Sequence, residues 1–132
     1  MFPTKAEGFG LPCIEAISCG LPLITTETSA QSEFLDHIRG RYFSVDFRME
    51  RIVDEDYQGF YGHEYGDSNF GNWAIPSENS LRKGMREVFT NIHAWRARAQ
   101  EAAQVIHREF SWDTVGRRVA AAALERRGMS GA

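Results

Sequence analysis

The chain has 132 residues, 42% of them hydrophobic, and a formal net charge of -3. This length and composition predict one folded domain, and the small charge gives no general attraction to nucleic acid. No stretch approaches the ~20 apolar residues of a membrane span. The two cysteines form neither a disulfide framework nor a zinc-binding spacing, so we expect a cytoplasmic chain with reduced thiols and no metal site.

The first 46 residues predict an alternation of strands and helices. Short apolar runs with β-branched residues are typical of buried strands, and a glycine follows each predicted helix. In chain order we expect a strand tail at 1–3, a loop at 4–11, a helix at 12–20, a strand at 21–26, a helix ending near 39 and a strand at 42–45. This alternation predicts an α/β fold with a partial Rossmann-like parallel sheet.

The pattern breaks at about residues 46–75, which we interpret as an irregular insertion. Charged residues come first, and aromatic residues and glycines without periodicity fill 57–73. Two interpretations stay open: a lid or aromatic platform that stacks on a sugar or base, or an insertion whose aromatic rings attach it to the domain surface. Apolar residues at three- and four-residue spacing then predict three helices, which begin near Ser77, Ala94 and Trp112.

A glycine loop, residues 7–11, precedes the first predicted helix. Gly8 and Gly10 can adopt positive φ and let a ligand approach the backbone closely. We expect the N–H groups of Phe9, Gly10 and Leu11 to be free to face a ligand, with the positive end of the helix dipole behind them. Donors and dipole together suit a phosphate group. Open α/β sheets bind their ligands at loops of this kind.

Two carboxylates, Glu7 and Glu15, bracket this loop. We expect Glu7 on the loop and Glu15 in the first turn of the helix, so that both face one pocket. Carboxylates repel phosphate but accept hydrogen bonds from neutral hydroxyls. Phosphate plus hydroxyls describes a nucleotide sugar better than a free nucleotide or a metal ion. Taken singly, Glu15 is also explained as an ordinary acid favoured by the helix dipole, and Glu7 as a solvated loop residue.

Residues 2–24 read F-P-x-x-x-E-G-F-G-L-P-x-x-E-A-x-x-x-G-x-P-x-I. This run resembles the donor-site signature of retaining GT-B glycosyltransferases of the group-1 or family-4 type. The resemblance implies that a hexose is transferred with retention from a nucleoside-diphosphate sugar, which is a substrate, without a cofactor or bound metal. It implies that Glu7 contacts the transferred sugar near the reacting carbon and that Glu15 holds the ribose hydroxyls. The backbone of residues 8–11 would meet the sugar or the diphosphate.

The family fold has two Rossmann-like domains with the active site between them, and its basic pair for the diphosphate lies upstream of the signature. The chain resembles only the later half of the C-terminal domain, so we expect residues 1–132 to be a partial nucleotide-sugar-binding domain of a longer protein. Its partners would be the nucleotide-sugar donor, an acceptor that the sequence does not name, and the missing N-terminal domain. Alone, the chain should be catalytically inert and bind donor weakly.

The last predicted helix corresponds to the one that crosses to the other domain in the family. This correspondence predicts an exposed apolar strip on that helix or at the sheet edge, and self-association is one way to cover it. Peripheral membrane association of the parent protein is also compatible with the sequence. The alternative to an enzyme is a non-catalytic module that binds nucleotide sugars or proteins.

Overall fold

The computed structural model describes residues 1–53 and 71–129, with side chains described as far as residue 126. The helices are α1 (Leu11–Ser18), α2 (Ser32–Asp36), α3 (Glu78–Thr90), α4 (Ile92–Phe110) and α5 (Trp112–Met129). The strands are β1 (Ile24–Thr25), β2 (Phe43–Ser44), β3 (Phe47–Arg51) and β4 (Asn72–Pro76). A 3-10 turn, Ser29–Gln31, leads into α2.

A small parallel sheet organises the N-terminal part of the chain. β1 pairs with β2 in parallel, with Ile24 opposite Phe43, and Phe2 extends the sheet through a parallel bridge to Thr25. α1 connects the Phe2 strand to β1, and α2 connects β1 to β2. The predicted α/β architecture with alternating strands and helices is therefore confirmed, although β1 and β2 are each only two residues long.

The region predicted to be irregular, residues 46–75, contains a strand at each of its ends. β3 and β4 pair antiparallel, from Phe47 opposite Pro76 to Arg51 opposite Asn72. The prediction was wrong for these ends because all five β3 side chains are exposed, and its charges obscure the alternating pattern of a strand. Most of the aromatic stretch considered as a lid or platform, 57–73, lies outside the described residues.

Three consecutive helices close the chain, as predicted. The Oγ of Ser77 caps α3 by accepting a hydrogen bond from the N–H of Ser80 at 3.3 Å. The Oγ of Ser111 caps α5 in the same way, accepting from the N–H of Thr114 at 3.2 Å. Such caps satisfy N–H groups that the first helical turn leaves without partners. None of the helices in the described ranges is both long and apolar enough to cross a membrane.

The core has two parts. The larger part lies between α1, α2 and α4 and includes Phe34, which is fully buried. The smaller part packs Ile24 and Val45 of the sheet region against Val88 of α3 and Trp95 of α4. α1 therefore rests on α2 and α4 along its buried side, which holds its N-terminus and the glycine loop before it in place.

Candidate functional site

The glycine loop (residues 7–11) leads directly into α1. Gly10 precedes the helix with a φ of 82°, in the left-handed region that favours glycine. Its carbonyl oxygen accepts hydrogen bonds from the N–H groups of Cys13 and Ile14 at 2.9 and 3.1 Å. Gly8 does not use the positive φ that glycine can adopt, and a Cβ placed on it would meet no atom within 4 Å. Of these two positions, only residue 10 therefore has a backbone conformation that requires glycine.

Three consecutive backbone donors of the loop have no protein partner. The N–H groups of Phe9, Gly10 and Leu11 form no hydrogen bond within the described ranges. They lie at the start of α1, where N–H groups have no intrahelical acceptor and the helix dipole is positive. This end of the helix can therefore donate hydrogen bonds to an anionic or polar oxygen of a ligand.

Gln31 lies beneath the loop and connects it to the end of β1. Its Nε2 donates to the carbonyl oxygen of Thr26 and, at 3.3 Å, to the Oγ1 of Thr25. The hydroxyls of Thr25 and Thr26 in turn donate to the carbonyl oxygens of Phe2 and Thr4, each at 2.8 Å. These bonds join residues 2–4, β1 and the 3-10 turn into one hydrogen-bonded support under the loop.

The other amide atom of Gln31 has a different environment. Its Oε1 is buried and unpartnered, the single side-chain atom in that state among the residues that the structure describes. A Cβ placed on Gly10 would lie 3.3 Å from this oxygen. Sequence reasoning did not assign Gln31 to the site. The only signal for it was the pair of threonines, Thr25 and Thr26, at the end of the preceding strand.

The two predicted carboxylates both lack protein partners. Glu7 is half-buried on the loop and Glu15 is exposed on α1. Because α1 begins at Leu11, Glu15 is the fifth residue of the helix, and its predicted place in the first turn was wrong. Neither carboxylate forms an ion pair or hydrogen bond with any described residue. Both are therefore available as acceptors for the hydroxyl groups of a ligand.

A groove of about 720 Å³ runs from the start of α1 to the corner between α4 and α5. Apolar side chains form most of its walls, including Phe110 and Trp112 at the corner. Of the predicted site residues, Phe9, Leu11 and Glu15 line the groove, whereas Glu7, Gly8 and Gly10 do not. The single pocket expected for both glutamates is therefore not this groove, which contacts only the Glu15 side of the loop.

Comparison with known proteins identifies the family. The family model described as Family 4 Glycosyltransferase in conflict systems matches residues 1–119. The chain belongs to this family of glycosyltransferases. The match includes the glycine loop, α1 and all of the residues that line the groove, and it confirms at the family level the resemblance carried by residues 2–24. No match was found among curated proteins or among solved structures.

In this member of the family, a lysine side chain carries a positive charge just before the loop. The Nζ of Lys5 lies 4.7 Å from the centroid of the Trp73 ring on β4, within the range of a cation–π contact. The N–H of Ala74 donates to the carbonyl oxygen of Lys5 at 3.0 Å, which attaches β4 to the segment before the loop. The sequence analysis did not assign Lys5 to the site, because β4 lies next to Lys5 only in the folded chain. A positive charge is thereby held two residues before Glu7.

The two cysteines of this family member differ in environment. Both are free thiols; Cys13 is buried in α1 and Cys19 is exposed after it. Burial raises the pKa of the Cys13 thiol to about 11, against a smaller opposing effect of its hydrogen bond with Thr25. A buried thiol of this kind is inert at neutral pH, so it has a packing role. Within the described ranges, no cluster of three or more His, Cys, Asp or Glu residues could hold a metal ion.

Proposed function

We propose that this chain carries the donor site of a retaining GT-B glycosyltransferase that uses a nucleoside-diphosphate hexose. The observation that carries the proposal is the start of α1, where three unpartnered N–H groups lie, along the chain, between two unpartnered carboxylates. A nucleotide sugar offers the complementary groups, because its phosphates accept hydrogen bonds and its hydroxyls donate them. Membership of the family of family 4 glycosyltransferases also supports a nucleotide sugar as the ligand.

Each group at the loop has a role in this proposal. Glu15 accepts hydrogen bonds from the ribose hydroxyls, and Glu7 accepts them from the transferred sugar beside its reacting carbon. The N–H groups of residues 9–11 donate to the diphosphate, whose negative charge grows as the bond from the sugar carbon to the phosphate oxygen breaks. The acceptor oxygen bonds to the same face of that carbon, and its proton passes to the leaving diphosphate.

A second domain is needed to complete this site. Lys5 supplies a cation two residues before Glu7, and its side chain is held against Trp73. A nucleoside diphosphate carries about two to three negative charges and is usually bound through several cationic groups. We therefore expect the isolated chain to bind donor with a dissociation constant of roughly 1 mM and to show no transfer activity. Two free thiols suit a reducing compartment such as the cytoplasm, where we propose that the protein acts.

The test is donor binding by the complete protein, measured by isothermal titration calorimetry, with UDP-, GDP- and ADP-glucose compared against the free nucleoside diphosphates. Glu15→Gln should weaken sugar nucleotide and free diphosphate alike, by roughly tenfold, because both contain the ribose. Glu7→Gln should weaken only the sugar nucleotide, because it contacts the sugar. Glu101→Gln, a surface carboxylate on α4 that pairs with Arg41, is the matched control and should change neither affinity.

Four results would each contradict a part of the proposal. Unchanged affinity in Glu15→Gln would remove the ribose assignment, and equal losses for sugar nucleotide and free diphosphate in Glu7→Gln would remove the sugar assignment. Sustained sugar transfer by the 132-residue chain would show that no second domain is required. Donor binding without turnover in the complete protein would favour the alternative, a non-catalytic nucleotide-sugar module.

A further inference from the structure

Gln31 is a fully buried residue, and the two atoms of its side-chain amide have opposite environments. Its Nε2 donates to the carbonyl oxygen of Thr26 and to the Oγ1 of Thr25, at the end of β1. Its Oε1 has no hydrogen-bond partner among the described residues and lies next to the position that a Cβ on Gly10 would occupy. The amide is therefore attached to the sheet through its nitrogen, and its oxygen faces the glycine loop.

The surroundings of this amide determine its orientation. The carbonyl oxygen of Thr26 can only accept a hydrogen bond, so the Nε2 and not the Oε1 must lie against it. A half-turn of the amide would place two acceptors in contact and would break the bond to Thr26. The unpartnered oxygen beneath Gly10 is therefore a fixed feature of this arrangement.

This unpartnered oxygen makes Gln31 an unusual choice for a buried position. A buried acceptor without a hydrogen bond lowers stability, because it has lost its bonds to water. The carbonyl oxygen of Thr26 does not depend on Gln31 alone, since it also accepts from the Oγ1 of Thr25 at 3.3 Å. Methionine, which has a similar length, could fill the same volume without a buried polar atom. The retained amide therefore points to a use other than stability.

The glycine loop rests directly on this side chain. A side chain on Gly10 would be crowded by the Cβ and the Oε1 of Gln31, so nothing else lies between the two residues at this point. Gly10 is buried, and its carbonyl oxygen accepts hydrogen bonds from the first turn of α1. A displacement of Gln31 would therefore move the residue that joins the loop to the helix.

We infer that Gln31 is a positioning residue for the sugar-donor site. It fixes the N–H groups of residues 9–11 in place, because it connects Gly10 to the end of β1. The inference rests on the proposed function, which has these N–H groups bind the diphosphate. They bind an anionic oxygen tightly only if they point to one place before the ligand arrives, since ordering them on binding lowers the affinity. Gln31 itself is too deeply buried to touch the ligand.

The first test measures the order of the loop without any ligand. NMR relaxation of the 132-residue chain gives the order parameter of the Gly10 N–H group. We expect about 0.85 in the wild type and less than about 0.6 in Gln31→Met, whose side chain has no bond to Thr26. Val88→Ala is the control, because it removes a buried side chain from the smaller part of the core. It should lower the urea midpoint and leave the order of Gly10 unchanged.

The second test measures the affinity of the complete protein for UDP-, GDP- and ADP-glucose by isothermal titration calorimetry. Gln31→Met should weaken the nucleotide that the wild type binds most tightly by roughly tenfold, because the N–H groups are no longer held in place. Val88→Ala should leave this affinity unchanged. Gln31→Leu, a second apolar replacement of different shape, should give the same result as Gln31→Met, and circular dichroism checks that each variant is folded.

Stability separates positioning from packing. The urea midpoint of Gln31→Met should fall less than that of Val88→Ala, because methionine removes the unpartnered Oε1 together with the bonds of the Nε2. A residue that only packs the core would show the opposite combination, a lower midpoint at unchanged affinity.

Two outcomes would overturn the inference. One is an unchanged order parameter of Gly10 in both Gln31 variants, whether or not the nucleotides bind. The other is wild-type affinity in variants whose loop has lost its order. If the wild-type protein binds none of the nucleotides, the proposed donor site is contradicted instead, and the order parameter still decides whether Gln31 holds the loop in place.

Discussion

A Cβ placed on Gly10 would lie 3.2 Å from the Cβ of Gln31. The glycine loop and the turn after β1 therefore touch at a position where one of the two residues has no side chain. Gly10 also has a φ of 82°, which an L-residue with a side chain rarely adopts. The start of α1 thus depends on this glycine for two independent reasons, and on Gln31 as the group beneath it.

Gly10→Ala should lower the free energy of unfolding by about 2 to 4 kcal/mol, from the backbone conformation and the crowding against Gln31 together. Gly8→Ala is the matched control on the same loop, since a Cβ there meets nothing within 4 Å and φ is not positive. It should change stability by less than about 1 kcal/mol. Urea unfolding followed by circular dichroism measures both, and equal destabilisation by the two changes would contradict the assignment.

Replacement by alanine should change the stability of the protein in opposite directions at two glycines inside helices. A Cβ on Gly84 of α3 would lie 2.6 Å from the ring of Phe43, so Gly84→Ala should destabilise by about 1 to 3 kcal/mol through overpacking. Gly116 of α5 has open space around it, so Gly116→Ala should stabilise by about 0.5 to 1 kcal/mol. Thermal unfolding at low protein concentration separates the two, and a shift of both in the same direction would be inconsistent with this packing.

The two thiols should react at very different rates. Cys19 is exposed, whereas Cys13 is buried with its pKa raised to about 11. A thiol reagent at pH 8 should therefore label one cysteine rapidly and the second only as fast as the protein unfolds. Cys19→Ser should abolish the fast phase, and Cys13→Ser should leave it unchanged. Rapid labelling of both thiols in the native protein would show that Cys13 is not protected.

Stability should fall as the pH rises above 9. The pKa of the Cys13 thiol rises from its ordinary value of 9.0 to about 11 on burial, so above pH 9 the unfolded chain loses a proton that the native chain keeps. Release of that proton favours the unfolded state, and the loss amounts to up to about 2 kcal/mol between pH 9 and 11. Urea unfolding at pH 7 to 10 measures the decline.

The hydroxyl of Tyr42 adds to this decline at higher pH, because burial and its 2.9 Å hydrogen bond to Glu27 raise its pKa as well. Cys13→Ala should remove the earlier part of the decline and leave the part that belongs to Tyr42. A free energy of unfolding that stays constant from pH 7 to 10 would rule out the Cys13 effect, and one that stays constant above pH 10 in Cys13→Ala would rule out the Tyr42 effect.

The parts of the fold that are determined by residues close to each other in the sequence were predictable from it. The end of α1 is an example, because Gly20 has a φ of 69° and its N–H bonds the carbonyl oxygen of Ile17 at 2.8 Å. A positive φ is a local requirement that the residue type itself reveals. The β3–β4 pair was not predictable, because its strands are far apart in sequence and no short turn marks them as partners.

The candidate site also has a part that is local in sequence, which was predictable, and a part that depends on tertiary packing, which was not. The glycines, the carboxylates and the free N–H groups belong to one short run of sequence, so their order indicated a ligand site. The groove needs Phe110 and Trp112, which reach Phe9 and Leu11 only through the packing of α1 on α4. Lys5 likewise contacts Trp73 only in the folded chain. The spacing of residues in the sequence does not predict such a contact.

The pairing of strands β3 and β4 has a consequence for the stretch of chain between them. The N–H of Ile52 donates to the carbonyl oxygen of Gly71 at 3.1 Å, so the chain leaves and re-enters the strand pair at a single point. The other end of the pair lies against the segment before the glycine loop, through Ala74 and Lys5. Replacement or lengthening of the stretch between Ile52 and Gly71 leaves both attachments in place. We therefore expect changes of length or sequence in that stretch to leave the glycine loop in place.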